Sequence, residues 1–327
     1  MTIADPKPRL IILLGPTGIG KTELAIQLAA ASGGEIISAD AMQVYRLMDI
    51  GTAKPTALQR SQVKHHMLDL VDPDTPFNAA LFINRAQPVI EDLNHRRKPI
   101  FVVGGTGLYI KALLGGLFAG PEADEGLRAS YREALAVHGK AYLYETLKKQ
   151  DEQAARQINP NDAVRIIRAL EVFETSGQSI VEQHRQHHFG ERCYDYLKIG
   201  LTMKRQSLFD RIALRTDRMI AAGLIEEVRQ LLAMGYAGSL KSMQSLSYKH
   251  IVHYLEGIHD LPATIQAIKR DTRHYAKRQM TWFGSDQEIC WFNPDDRDSI
   301  TKTVVSFLRS NGTRCFEGKD GDSEEIS

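Results

Sequence analysis

The sequence predicts an α/β fold: a parallel sheet core of the P-loop type, flanked by helices and carrying a helical insertion domain. Three observations carry this. Apolar runs of strand length alternate with helical periodicity through the first third of the chain. One run, residues 10–14, leads directly into Gly15-Pro16-Thr17-Gly18-Ile19-Gly20-Lys21-Thr22, a complete G-x-x-x-x-G-K-[ST] loop. Past Gly115-Gly116, β-branched runs become scarce and helical stretches follow one another.

The elements follow in order. Residues 10–14 form the first strand. The loop opens a helix, because Leu24, Ile26, Leu28 and several alanines continue without a breaker to Gly33. Residues 35–38 form the second strand, ending at Ala39-Asp40, and 66–70 form a weaker one. Residues 79–94 show helical spacing, and 99–103 form a strand that ends in Gly104-Gly105-Thr106-Gly107. The insertion holds helices over 123–138, 142–157 and 161–175, the last with Asp162 near its start and Gly177 past its end. Residues 196–201 return to the sheet. A long helix over 205–234, ended by Gly235, turns Leu208, Ile212, Met219, Leu224, Val228 and Leu231 inward. The last third is helical and basic up to Trp282. The expected units are a first core part (1–119), the insertion (120–196), a second core part (197–316) and a disordered acidic tail (317–327).

With 327 residues, 43% hydrophobic and 25% charged, the composition is that of an ordinary globular protein. A formal net charge of +1 argues neither for nor against a nucleic-acid partner. Cys193, Cys290 and Cys315 form no C-x-x-C pair, which fits a reducing compartment. No stretch reaches the ~18 apolar residues of a membrane span, and the first residues lack an apolar secretion segment. A cytoplasmic enzyme with no membrane partner is expected, as a monomer.

A phosphate loop turns backbone N–H groups inward, and the following helix N-terminus adds positive potential. Lys21 would supply a point charge to phosphate oxygens and Thr22 a hydroxyl to Mg2+. Asp40, at a strand end near this loop, has four open roles: magnesium ligand, substrate orienter, general base or helix cap. Thr106 could donate to a phosphate oxygen. If helical, 269–283 places Lys269, Arg273 and Lys277 on one face, which suits a phosphate backbone or a solvated surface equally. Arg165 and Arg168 lie one turn apart, and Arg211, Arg215 and Arg218 form a similar stripe. His184, His187 and His188 have only partial metal spacing and read as a solvated loop. ATPases pair a phosphate loop with an apolar strand ending in Asp. Here the clearest later strand ends in Gly-Gly-Thr, and Met67-Leu68-Asp69-Leu70 is a poor substitute. A diphosphate that departs fits this loop better than a nucleotide that is hydrolysed.

Several runs together resemble the bacterial tRNA dimethylallyltransferases (tRNA isopentenyltransferases). They are the phosphate loop, Ser38-Ala39-Asp40 with Gln43-Val44-Tyr45, Asp49-Ile50-Gly51-Thr52-Ala53-Lys54-Pro55, and Val102 to Tyr109. Asn159-Pro160-Asn161-Asp162 through Val172 and Lys277-Arg278-Gln279-Met280-Thr281-Trp282-Phe283 complete the match, which runs in order from about Arg9 to Phe283. The Asp49-to-Pro55 and Lys277-to-Trp282 runs are the more specific ones. The resemblance implies transfer of a dimethylallyl group from dimethylallyl diphosphate to N6 of adenosine 37, beside the tRNA anticodon. It implies Asp40 as general base, Thr106, Arg215 and Lys21 as stabilisers of the diphosphate, and Mg2+ on Thr22. It further implies an extruded adenine. Its RNA-contacting segments map onto Asp40-Ala41-Met42-Gln43, Thr106, Arg128 and Val164-Arg165-Ile166-Ile167-Arg168. They continue in Gln244-Ser245-Leu246-Ser247-Tyr248-Lys249 and in Lys277 through Gly284, with the anticodon stem-loop as partner. Two positions depart from the family pattern: Gly18-Ile19 stands for the usual Ala-Ser, and Ala41 for the usual Ser. The alternatives are a small-molecule or nucleoside kinase using the loop for ATP, and a non-catalytic nucleotide switch. The first needs an arginine-rich lid, the second an Asn-Lys-x-Asp motif, and neither is found.

Overall fold

Every strand pairing in the sheet is parallel, as expected of apolar runs buried on both faces. The computed structural model describes residues 7–116, 124–186 and 193–310. They divide into two units, one up to Leu114 and from Cys193 onward, the other within Gly115–Arg192.

The first unit starts with β1 (Arg9–Leu14), buried apart from Arg9. The phosphate loop joins it to α1 (Lys21–Ser32). Next come β2 (Glu35–Ser38), α2 (Ala57–Gln62), β3 (His65–His66), α3 (Ala79–His95), β4 (Ile100–Gly104) and α4 (Gly107–Gly115). The second unit is helical: α5 (Glu125–Gln150), α6 (Glu152–Gln157), α7 (Ala163–Ser176) and α8 (Ile180–Gln186). The chain then forms β5 (Asp195–Leu201), α9 (Arg205–Ala221), α10 (Leu224–Ala233), α11 (Tyr248–Leu255), α12 (Leu261–Gly284), β6 (Ile289–Phe292) and α13 (Arg297–Arg309).

The strand order is β3-β2-β4-β1-β5-β6. β1 is central, with Leu10 paired to Ile100 on one side and to Tyr196 on the other. The chain travels outward from β1 to β3, returns to β4 and reappears at β5 across β1. Ligands of such sheets bind beyond the carboxyl ends of the strands, where the order reverses. One core joins Ile11 and Leu13 of β1 with Leu24, Leu208, Ile212, Ala276 and Val304 from α1, α9, α12 and α13. Elsewhere Phe82 of α3 stacks on Tyr109 of α4, ring centroids 4.5 Å apart. In the helical unit Leu143, Leu147, Ile166 and Leu170 form a separate core. Asp162 caps α7 through the Arg165 N–H, and Gly177 closes it.

Several elements differ from the sequence expectation. The strand expected at 66–70 is only two residues long and ends at His66. Met67 and Asp69 take φ of 65° and 54°, which no strand can continue. The helix expected over 205–234 is two, broken at Gly223 with φ 100°. The one expected over 142–157 is divided at Asp151, whose carboxylate accepts the Ala154 N–H and opens α6. The break inside α5 at Gly139 falls between the helices expected over 123–138 and 142–157. Beyond Trp282 the sheet gains β6 and the fold gains α13, neither of which the sequence reading foresees. The 317–327 tail, Cys315, His187 and His188 lie outside the described residues.

Candidate active site

A cleft opens at the carboxyl ends of β1, β2 and β4, lined by Thr17, Lys21, Thr22, Asp40, Gln43, Arg215 and Gln279 among others. The phosphate loop turns through Gly15, Gly18 and Gly20, all at positive φ. Ile19 sends its side chain into the apolar core, so this departure from the family's serine leaves a cradle of backbone N–H groups. Lys21 Nζ donates to the carbonyls of Gly15 (2.9 Å) and Pro16 (2.8 Å). Part of the residue is accessible, but the ammonium is enclosed by its own loop. Burial, followed by the nearby Arg215 charge, pushes Lys21 down to about 7, while Asp40 opposes the shift. Arg215 of α9 donates to Thr17 Oγ1 at 3.1 Å, and Arg211, one turn earlier, to the Ile19 carbonyl at 3.1 Å. Burial lowers Arg215 too, and Asp40 opposes this.

Asp40 leaves the end of β2. Its Oδ1 accepts the Met42 N–H (2.8 Å) and the Gln43 N–H (3.3 Å), so the carboxylate caps a turn and starts no helix. The Ala41 N–H donates to Thr106 Oγ1 at 3.0 Å. Gln43 accepts from Ser38 Oγ (2.9 Å) and donates to the carbonyls of Thr52 and Ala53, both at 3.3 Å.

The backbone of the Asp49-to-Pro55 run is held by Glu227, which the sequence reading does not single out. Glu227 of α10 accepts the N–H groups of Asp49 (3.0 Å), Ile50 (2.7 Å) and Gly51 (3.1 Å), and the Tyr248 hydroxyl at 2.6 Å. Gly51 gives room to the Tyr248 ring, whose Cε2 would lie 2.4 Å from a Cβ there. Lys54 donates from a buried position to the Tyr45 carbonyl (2.7 Å), Asp49 (2.6 Å) and Asp69 (2.7 Å). Asp69 is thus engaged away from the cleft wall; despite burial, Lys54 and Arg60 hold its carboxyl below the usual range. The run meets the cleft at Thr52, Ala53 and Pro55.

α12 presents two faces. Lys277, Arg278, Thr281 and Trp282 are exposed, whereas Gln279 and Phe283 are buried and Tyr275 lines the cleft. Burial, then Asp40, pushes the Tyr275 phenol up to about 12. The Gly-Gly-Thr-Gly segment closes tightly against this helix. A Cβ on Gly105 would lie 2.2 Å from Gln279 Nε2, and one on Gly107 2.2 Å from Trp282 Nε1.

Residues matched above to RNA-contacting segments are not all surface. The side chains of Ile166, Ile167, Ser247, Tyr248, Gln279 and Phe283 are buried, so they pack within their own units. Val164, Arg165, Gln244, Lys277, Arg278, Thr281, Trp282 and Gly284 are exposed, and Ala41, Met42, Arg168, Ser245, Leu246, Lys249 and Met280 are half-buried. In the helical unit Glu171, fully buried, accepts from Arg128 Nη2 (3.1 Å), Arg168 Nη1 (2.7 Å) and the Asp124 N–H (2.7 Å). Among the described residues no cluster of three His, Cys, Asp or Glu could hold a metal, and no helix is long and apolar enough to cross a membrane.

A phosphate cradle and a carboxylate on one cleft, at the carboxyl ends of a parallel sheet, define an α/β group-transfer enzyme of the phosphate-loop class. A family model described as IPP transferase matches residues 43–286, and one described as isopentenyl transferase matches 8–69. The chain belongs to this family, the tRNA dimethylallyltransferases. It is 55% identical to tRNA dimethylallyltransferase 2 of Syntrophus aciditrophicus, over 94% of this chain and 99% of that one. It is 49% identical to the Geotalea uraniireducens protein of the same name, over 94% and 100%. The crystal structure of the Bacillus halodurans tRNA isopentenylpyrophosphate transferase aligns with a TM-score of 0.69 at 38% identity, covering 92% of this chain and 97% of that one. A eukaryotic dimethylallyltransferase captured acting on tRNA aligns at 0.76 and 27% identity, covering 91% and 78%. These likenesses favour prenyl transfer over the kinase alternative.

Proposed function

We propose that this chain transfers a dimethylallyl group from dimethylallyl diphosphate to N6 of adenosine 37 in tRNA. The observation that carries the reading is the convergence of Lys21, Arg215 and Asp40 on one cleft beside the phosphate loop. The diphosphate takes the loop's N–H groups, with Lys21 leaving its own carbonyls to meet the anion. The bond between the prenyl C1 and the diphosphate oxygen breaks, and its electron pair departs with the diphosphate. The adenine N6 bonds to that carbon and gives up a proton to Asp40. Oδ1 already caps the turn, so Oδ2 is the oxygen that takes it. Arg215 and Lys21 stabilise the charge that grows on the leaving group, and Thr106 steadies the turn that carries Asp40.

The residues fit a magnesium ion: Thr22 brings a hydroxyl to the cleft wall, and the substrate brings phosphate oxygens, both hard donors. The ion would neutralise leaving-group charge. The exposed Lys277, Arg278 and Trp282 of α12 receive the anticodon stem-loop, a face that suits a phosphate backbone. A monomer working in the cytoplasm, on tRNA and dimethylallyl diphosphate, completes the reading. Incubation of tRNA with dimethylallyl diphosphate, followed by nucleoside analysis, tests it. N6-isopentenyladenosine at position 37 is the expected product, and phosphate transfer from ATP in its place would overturn the reading.

A further inference from the structure

We infer that Gln279 is a positioning residue that sets the distance between the diphosphate cradle and the loop carrying Asp40. The inference rests on the function proposed above. Gln279 directly follows the exposed Lys277 and Arg278 on α12, yet it is only 6% exposed and lines the cleft. Its Oε1 accepts the Thr17 N–H at 2.8 Å, and its Nε2 donates to the Gly105 carbonyl at 2.8 Å. One partner is in the phosphate loop and the other is next to Thr106, which holds Ala41 and so the turn at Asp40. The amide is therefore the strut in a chain from Thr17 through Gly105, Thr106 and Ala41 to Asp40.

The chemistry of the strut is specific. An N–H needs an acceptor and a carbonyl needs a donor, and only an amide of this length offers both in fixed places. A carboxylate would set oxygen against the Gly105 carbonyl oxygen. A thioether would leave both buried partners unmade. In-line attack tolerates little displacement between nucleophile and leaving group, so a shift of about 1 Å costs on the order of 100-fold in rate.

The experiment compares wild type, Gln279→Met and Gln279→Glu in single-turnover transfer at saturating substrates. Dissociation constants for tRNA and for dimethylallyl diphosphate are measured in parallel. The expected result for Gln279→Met is a rate lower by about 30-fold or more, with both dissociation constants within about threefold. For Gln279→Glu, the rate relative to wild type rises as pH falls, because a protonated carboxyl regains a donor for Gly105; taking the ratio cancels the titration of Asp40. An unchanged rate, or a weakened tRNA affinity with full rate at saturating tRNA, overturns the role in favour of an inert side chain or a direct RNA contact. If Gln279→Met does not fold, a pH-independent ratio for Gln279→Glu overturns it. Wild-type protein that transfers no prenyl group instead overturns the proposed function, and this role with it.

Discussion

Thr106 accepts the backbone N–H of Ala41 at 3.0 Å, across 65 residues of sequence, and so moors the turn of Asp40 to the exit of β4. The position of the carboxylate depends on a hydroxyl in another loop.

Replacing Asp40 by Asn keeps an acceptor for the Met42 and Gln43 N–H groups while removing the base. We expect turnover to fall by about 100-fold or more, with tRNA affinity within a few fold. Rapid-quench transfer assays beside filter binding check this, and full turnover would remove Asp40 from the chemistry.

Burial, then the Arg215 charge, pushes Lys21 down to about 7, against its ordinary 10.5. Since the folded value is the lower one, the charged form burdens the protein below about pH 7, and the burden lifts as pH rises toward the ordinary value. A bound diphosphate favours the ammonium and raises its pKa. Binding at about pH 8 should therefore take up a proton, up to about one per site. Calorimetry in buffers of different ionisation enthalpy measures this uptake, and it should vanish in Lys21→Met.

Lys277 and Arg278 are exposed on α12. Reversing both charges should weaken tRNA binding and flatten its salt dependence by about two in log–log slope. An unchanged slope would make this face ordinary surface.

Lys54 places an ammonium with 1% side-chain exposure between Asp49 and Asp69. Lys54→Met leaves the Tyr45 carbonyl and both carboxylates short of a donor. A loss of about 3 kcal/mol in urea unfolding is expected, and a loss under about 1 kcal/mol contradicts it.

Much of the core was legible in the chain. The strands at β1, β2, β4 and β5 announce themselves as apolar runs, and the phosphate loop by its spacing. Asp40 and Thr106 stand at strand ends, where topology alone directs attention. Other features depend on partners distant in sequence. The Gln279 contact with Thr17 spans 262 residues, and that of Glu227 with Asp49 spans 178. No local pattern marks either. Arg215 is one of three arginines on a stripe, and only folding shows which one reaches Thr17. The break at Gly223 hides because the apolar spacing continues across it, and β3 stops early on backbone angles that Met67 and Asp69 do not advertise.

The run from Asp49 to Pro55 identifies this lineage better than the phosphate loop does, yet its two charged side chains hold each other and its backbone hangs from Glu227. It is a signature of architecture. A descendant could preserve it intact, lose the carboxylate at the end of β2, and persist as a pseudoenzyme that still clasps RNA. Surveys that count enzymes by that signature would score such a protein as active.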